Sequence, residues 1–226
     1  MSKHKRILLI RHGETEWNRI ERIQGMEDIP LNALGLAQAE SVAAELGKIV
    51  LGDAELVSSD LVRTRETAKP IIEATGLQAR YDARLRERHF GVWQGKTYAE
   101  WRELDAEGAA RHAAGDEHYG PEGGETARQF FERCVAAVTD LAIACDEKTL
   151  IIVTHGGVVS SLYRHSQGLN VQSARDWSVP NASISEWRFD GERFFLERVG
   201  DDKHLSVQDE RPMTKDEKHD SVGQGG

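Results

Sequence analysis

At 226 residues, with 39% hydrophobic and 30% charged residues, the chain is long and apolar enough to bury one substantial core, which excludes wholesale disorder. Its formal net charge of -9 opposes a general role on nucleic acid or an anionic membrane surface, where a basic field is expected, yet allows a local basic pocket inside an acidic shell. No run approaches the roughly 18 to 20 apolar residues of a membrane span, and the N-terminus lacks the apolar stretch of a signal peptide, so a cytoplasmic location is expected.

Arg6 to Ile10 is a short apolar run stopping at Arg11-His12-Gly13, the pattern of a buried strand that delivers a loop. Asn32 is a plausible N-cap for a helix over Ala33 to Gly47, with Leu34, Ala37, Val42 and Leu46 on one stripe. Ala54 to Val57 reads as a second strand. It ends at Ser58-Ser59-Asp60, where Asp60 is expected to cap a helix containing Arg63, and Pro70 to bend or interrupt that helix.

Residues 96–122 begin helically and then turn rich in Ala, Gly, Glu and His, which predicts an insertion over the site. Glu125 to Ala144 is a long helical pattern that Thr126 could cap. Cys134 and Cys145 would stand about 16 Å apart on one helix, too far to bridge, and read as buried reduced thiols. Thr149 to Val153 is another buried strand, ending at Thr154-His155-Gly156-Gly157. Ala182 to Phe189 and Phe194 to Val199 read as a hairpin turning at Asp190-Gly191. The apolar edges of that hairpin could support a homodimer. Residues 201–226 hold few apolar side chains and predict a flexible tail, leaving 1–200 as one catalytic domain.

Alternating strands and helices imply an α/β domain with a largely parallel sheet, whose ligands collect beyond the carboxyl ends of the strands. His12 and His155 both follow strands directly, so one crevice could hold both. A neutral imidazole is a good nucleophile near neutral pH, and Arg11 and Arg63 offer planar donor forks matched to phosphate oxygens. Taken singly, each residue also has an ordinary structural explanation.

Taken together, Arg11-His12-Gly13-Glu14-Thr15-Glu16-Trp17-Asn18, Gln24-Gly25, Pro30-Leu31-Asn32, Ser58-Ser59-Asp60-Leu61-Val62-Arg63-Thr64, Glu87 with Gly91, and Thr154-His155-Gly156-Gly157 closely resemble the histidine phosphatase superfamily, which includes phosphoglycerate mutases. The resemblance spans roughly Arg6 to Val199. It implies a three-layer α/β/α sandwich of the phosphoglycerate mutase-like type. It further implies His12 as the phosphorylated nucleophile, with Arg11, Arg63 and an at least partly cationic His155 around the phosphoryl oxygens, and Glu87 as proton donor. Asn18, Gln24, Gly25 and Gly156 fall at phosphate-binding or pocket positions. Gly13 and Gly156 are expected to permit close backbone approach, and Glu14 is the weaker acid candidate.

No metal and no cofactor is implied, and the expected partner is a small-molecule phosphate ester. Gly157, where mutases usually carry Asn, and Pro121-Glu122-Gly123-Gly124-Glu125-Thr126 favour a phosphomonoester hydrolase, as does the lack of the mutase's adjacent arginine pair. Glu87-Arg88-His89-Phe90 resembles the mutase form, though Phe90 lacks the usual tyrosine hydroxyl, and keeps a bisphosphoglycerate-dependent phosphoglycerate mutase as the alternative. A non-catalytic phospho-ligand binder on the same fold is the alternative of another class.

Overall fold

Ile7, Leu8, Leu9 and Ile10 have no exposed surface. They lie in β1 (Lys5–Arg11) of a computed structural model that describes residues 4–49 and 53–205. After β1 come α1 (Glu16–Arg19), α2 (Ala33–Ile49), β2 (Ala54–Ser58), α3 (Val62–Thr75) and β3 (Ala79–Tyr81). Then follow α4 (Tyr98–Leu104), α5 (Ala106–Ala113), α6 (Ala127–Ala144), β4 (Thr149–Thr154), α7 (Gly156–Ser166), β5 (Ile184–Phe189) and β6 (Phe194–Asp201).

A strand apolar on both faces must be covered on both. Ile7 and Leu9 pack with Leu150 and Ile152 into a core that includes α6 and α7, while Leu8 and Ile10 pack with Ile151 and Val153 into a second core with α2 and α3. The result is the expected three-layer sandwich. Burial of each such side chain contributes about 1.5–3 kcal/mol, so a polar residue at any of the four would remove much of the net stability of a domain, about 5–15 kcal/mol.

The sheet order is β3-β2-β4-β1-β5-β6; the first four strands run parallel, β5 is antiparallel to β1, and β6 is antiparallel to β5. Register does the decisive positioning. Arg11 pairs with Thr154 across the β1–β4 ladder, so His12 and His155, each one residue further on, emerge side by side from distant parts of the chain.

Asn32 caps α2 as expected, its Oδ1 accepting from Gly35 N at 2.8 Å, and Thr126 caps α6 in a capping box with Gln129. Asp60 does not cap α3. Its carboxylate is taken by the Arg86 fork at 2.7 and 2.6 Å, and the N-terminal Val62 N donates instead to Asp28 Oδ1 at 2.6 Å. Nor does Pro70 interrupt α3, which runs on through it to Thr75 and stops at Gly76, where φ is +71°. Cys134 and Cys145 are buried free thiols, one on α6 and one at its C-cap.

Of the segment expected as a tail, residues 201–205 are held in the fold, Asp201 closing β6 and His204 bonding Ala182 O at 3.0 Å, and residues 206–226 lie outside the described residues. Within 96–122, Trp101 stacks beside Trp93 at 4.3 Å, and Trp93 Nε1 and the Tyr119 hydroxyl both donate to Asp105. With Ile23 these two tryptophans form a small third core, separate from those flanking the sheet. Among the described residues, no helix is long and apolar enough to cross a membrane.

Candidate active site

A cleft of about 570 Å³ opens beyond the carboxyl ends of β1 and β4. That volume lies in the usual range for a small-molecule site. Arg11, His12, Asn18, Gln24, Gly25, Arg63, Glu87 and Gly156 line it. His155 does not. It sits fully buried behind His12, its ring 5.2 Å from the His12 ring and tilted by 62°.

The His12 ring is fixed by its own loop. Nδ1 lies 2.7 Å from Gly13 O, and a carbonyl oxygen can only accept, so Nδ1 carries the proton and Nε2 is the bare nitrogen. Burial, then Arg63 and Arg11, hold the imidazole well below its ordinary value and keep it neutral. The backbone of the loop is anchored from three sides: Gly13 N donates to Thr67 Oγ1 at 3.0 Å, Glu14 N to Gln38 Oε1 at 2.8 Å, and Ala182 N to His12 O at 3.1 Å. Asn181 Nδ2 adds contacts to His12 O at 3.1 Å and to Asn18 Oδ1 at 3.3 Å. Gly13 is required sterically, because a Cβ there would overlap the Gly35 carbonyl.

His155 Nε2 lies 2.9 Å from Ser59 Oγ, while its Nδ1 is buried with no hydrogen-bond partner. The expectation of a partly cationic His155 is not met. Burial first, and then Arg63, His12 and Arg11, push it well below its ordinary value, because a second positive charge in this enclosed basic corner is unfavourable. A phosphoryl dianion alongside would supply the opposite charge that this corner lacks.

Arg63 is also buried, and burial pushes its guanidinium down to about 10, still cationic near neutral pH. Part of its fork is committed to the pocket loop: Nη1 donates to Glu27 O at 2.8 Å and Nη2 to Gly25 O at 2.7 Å. Its Nε is buried without a partner. A buried donor left unpaired costs about 1–3 kcal/mol, and a phosphoryl oxygen placed against Arg63 Nε would remove that cost. Arg11 donates through Nη1 to Val179 O at 2.6 Å, with Gly156 packed on its side chain. Asn18 caps α1 together with Thr15, whose hydroxyl also lies 3.0 Å from Gln24 Oε1.

Glu87 reaches the cleft from the other side. Its Oε1 accepts from Arg88 N at 2.9 Å and its Oε2 from Gly157 N at 3.1 Å, the latter near the start of α7. Neither neighbouring arginine pairs with it: Arg86 holds Asp60, and Arg88 donates to the carbonyls of Glu125 and Tyr119. The residue that Glu87 cannot do without is Gly157, because a Cβ there would overlap Oε1 and press on the Phe130 ring at 2.8 Å. Gly156 is far less constrained, its Cβ meeting only the Arg11 side chain at 3.4 Å.

The segment that carries Glu87 is locked to a distant one. Glu125 N donates to His89 O at 2.8 Å, Glu125 Oε2 accepts from His89 N at 2.9 Å, and Gly91 packs on the Glu122 carbonyl. Glu14 holds Asn32 Nδ2 at 2.7 Å, an anchoring role on the loop. Among the described residues no cluster of His, Cys, Asp and Glu could hold a metal ion.

Sequence reasoning missed three residues of this site. Ser59 sat inside a quoted motif without a role, Thr67 follows Arg63 by one helical turn, and Asn181 gave no local signal at all.

Bare imidazole nitrogen, guanidiniums and unpaired buried donors at strand ends describe an enzyme that handles phosphate. The chain matches the model of the histidine phosphatase superfamily (branch 1) over residues 7–202, and it belongs to that superfamily. It is 36% identical over 203 residues to phosphoglycerate mutase-like protein 4 of Arabidopsis thaliana, covering 88% of this chain and 86% of that one. It is 38% identical over 166 residues to glucosyl-3-phosphoglycerate phosphatase of Mycobacterium tuberculosis, covering 70% and 73%.

Among solved structures, mycobacterial glucosyl-3-phosphoglycerate phosphatase in complex with VO3 aligns with a TM-score of 0.77 at 34% identity, over 87% of this chain and 99% of that one. Bacillus stearothermophilus YhfR aligns at 0.82 with 29% identity, over 89% and 99%. The chain is a histidine phosphatase-type enzyme, with phosphatases and mutase-like proteins among its relatives.

Proposed function

We propose that this protein hydrolyses a small phosphomonoester through a phosphohistidine on His12, with Glu87 as proton donor. The observation that carries the reading is the His12 tautomer: a neutral ring, its Nδ1 proton held by Gly13 O and its Nε2 lone pair bare, lining a cleft with Arg11 and Arg63. Nε2 attacks phosphorus in line. As the ester oxygen–phosphorus bond breaks, Glu87 gives its proton to the leaving oxygen. Water then attacks the phosphohistidine, Glu87 takes back a proton, and His12 returns to its starting form as phosphate leaves. Arg11, Arg63 and His155 stabilise the charge on the transferring group, an electrostatic role that dominates in phosphoryl transfer.

Water is favoured over a second phosphoglycerate oxygen as acceptor. Arg88, the arginine of the mutase-like stretch, is buried and donates three times to backbone carbonyls, which spends its fork on the segment around Glu125. The Gly at 157, which distinguishes this chain from the mutase pattern, is what admits Glu87 in its observed pose.

Rapid quench with a labelled aryl phosphate tests the reading: an acid-labile, base-stable phosphoenzyme forms in the parent protein and is absent in His12→Ala. Its absence in both would leave a non-catalytic binder. Fast interconversion of phosphoglycerates, stimulated by a bisphosphoglycerate and outrunning phosphate release, would overturn hydrolysis in favour of the mutase.

A further inference from the structure

The cleft is basic far beyond what one phosphoryl group needs. Besides Arg11 and Arg63 it is lined by five arginines against three carboxylates, Glu21, Glu87 and Asp116, although the chain as a whole carries a formal charge of -9. Some of these arginines are committed: Arg22 to the Gly95 carbonyl, and Arg88 to those of Glu125 and Tyr119. Arg164 and Arg175 are held in another way.

Both lie over one aromatic plate, with the Trp177 ring centroid 4.6 Å from the Arg164 guanidinium and 5.9 Å from that of Arg175. Trp177 is itself buried, stacked on Tyr163 at 4.2 Å, with Nε1 donating to Ser160 Oγ at 3.3 Å. Each guanidinium is further oriented by a backbone carbonyl: Arg164 Nη2 by Ser173 O at 3.3 Å, and Arg175 Nε by Trp177 O at 2.9 Å. The Nε bond leaves both terminal nitrogens of Arg175, and among the described residues no carboxylate forms an ion pair with it.

Two like charges on one ring repel each other, and stacking alone, at about 0.5–1 kcal/mol for an exposed cation–π contact, is a weak reason to bring them together. An anion bridging them reverses the sign of that interaction. Because stacking and the carbonyl bonds already fix both forks, little side-chain entropy remains to be lost on binding.

The geometry points to a second anion subsite formed by Arg164 and Arg175 on Trp177, selecting phosphomonoesters that carry another anionic group at the far end. This deepens the hydrolase reading and rests on it for the position of the first phosphate. Arg164 lies two turns along α7 from Gly157, which holds Glu87, so on one face of the helix the two backbones stand roughly 10 Å apart, seven residues at about 1.5 Å each. That span suits an ester of about sugar length, with either a carboxylate or a second phosphate as its distal group.

The test compares kcat/KM for 6-phosphogluconate, fructose 1,6-bisphosphate and glucose 6-phosphate, which end in a carboxylate, a phosphate and no charge. The parent enzyme is expected to prefer one of the doubly charged esters over glucose 6-phosphate, chiefly through KM, and the preferred one identifies the distal group. Arg175→Gln should lower that preference about ten- to a hundredfold, the value of one charge-assisted hydrogen bond, with Arg175→Lys recovering part of it. Arg164→Gln should act in the same direction.

A parent enzyme indifferent to the distal charge, or a preference unmoved by Arg175→Gln, overturns the subsite. Calorimetric titration with 6-phosphogluconate separates the two readings. Binding that weakens in Arg175→Gln while no ester is hydrolysed upholds the subsite and removes the hydrolase; hydrolysis of all three esters at equal rates does the reverse.

Discussion

Glu87 is held by two backbone N–H groups, one beside it in sequence and one seventy residues away at Gly157. With Glu87 in its proposed role as proton donor, that arrangement makes a glycine part of the proton-transfer apparatus. A methyl group at 157 must displace either the Glu87 carboxylate or the Phe130 ring, so Gly157→Ala is expected to behave like a defective acid. Turnover of esters with poor leaving groups should fall by about ten- to a hundredfold, part of the roughly hundred- to ten-thousandfold that general-acid assistance supplies, while a nitrophenyl ester is affected less. A leaving-group series at fixed pH reads the difference, and equal losses across the series would assign Gly157 to folding alone. The same residue shows how far sequence reaches. Gly157 was legible as a departure from the mutase pattern, but its steric reason was not, because Glu87 and Phe130 approach it only in three dimensions. His155 is the converse case: its place at a strand end was legible, whereas its charge depended on burial and four basic neighbours that no local pattern records.

Helix α3 carries Arg63 and Thr67, so its start fixes two contacts of the site. The nearest capping residue in sequence is Asp60, yet Asp60 is paired with Arg86, and Asp28 arrives from the pocket loop to cap Val62. Local capping rules cannot find a cap supplied from thirty-four residues upstream. Asp28→Ala should therefore cost about 1 kcal/mol in urea unfolding, as other N-caps do, and more than Asp60→Ala, whose partly exposed ion pair is worth well under that. An order reversed between the two variants would show that the cap is not what holds this helix. Strands β1 and β4 were by contrast readable almost residue by residue, because a run apolar on both faces permits only a central position in a covered sheet. The loop at Asn181 and Ala182, which bonds the backbone of His12, was not, since its contacts depend on β5 lying beside β1.

At the scale of the molecule, two buried histidines make stability depend on pH. In the unfolded chain each takes up a proton near its ordinary value of about 6.5, while burial and the arginines keep both neutral in the fold well below that. As pH falls from about 6.5, the unfolded state binds protons that the native state refuses, so the free energy of unfolding decreases. The slope approaches about 1.4 kcal/mol per pH unit for each histidine once the unfolded chain is protonated. Urea midpoints should drop between pH 7 and pH 5 in buffers without phosphate, which would stabilise the fold by binding. Replacing His155 with Gln should flatten the decline, and an unchanged slope would count against a buried neutral imidazole.

Three of the four parallel strands, the hairpin and the order of the site motifs could be foreseen; β3, three residues long and largely exposed, left no pattern to read. The aromatic knot of Trp93, Trp101 and Tyr119 could not, because its side chains converge from a turn, a helix and a loop around Asp105. That knot has a consequence for how such an enzyme diversifies. Since residues 96–122 rest on a small core shared with Ile23 and Trp93, rather than on either core beside the sheet, they can be rewritten with little disturbance to the strands that deliver His12 and His155. Variation in what the cleft accepts is thereby separated from the two histidines, while the bonds of Tyr119 O and Glu122 O to Arg88 and Val92 mark the contacts that any graft must keep to leave the Glu87 segment in place.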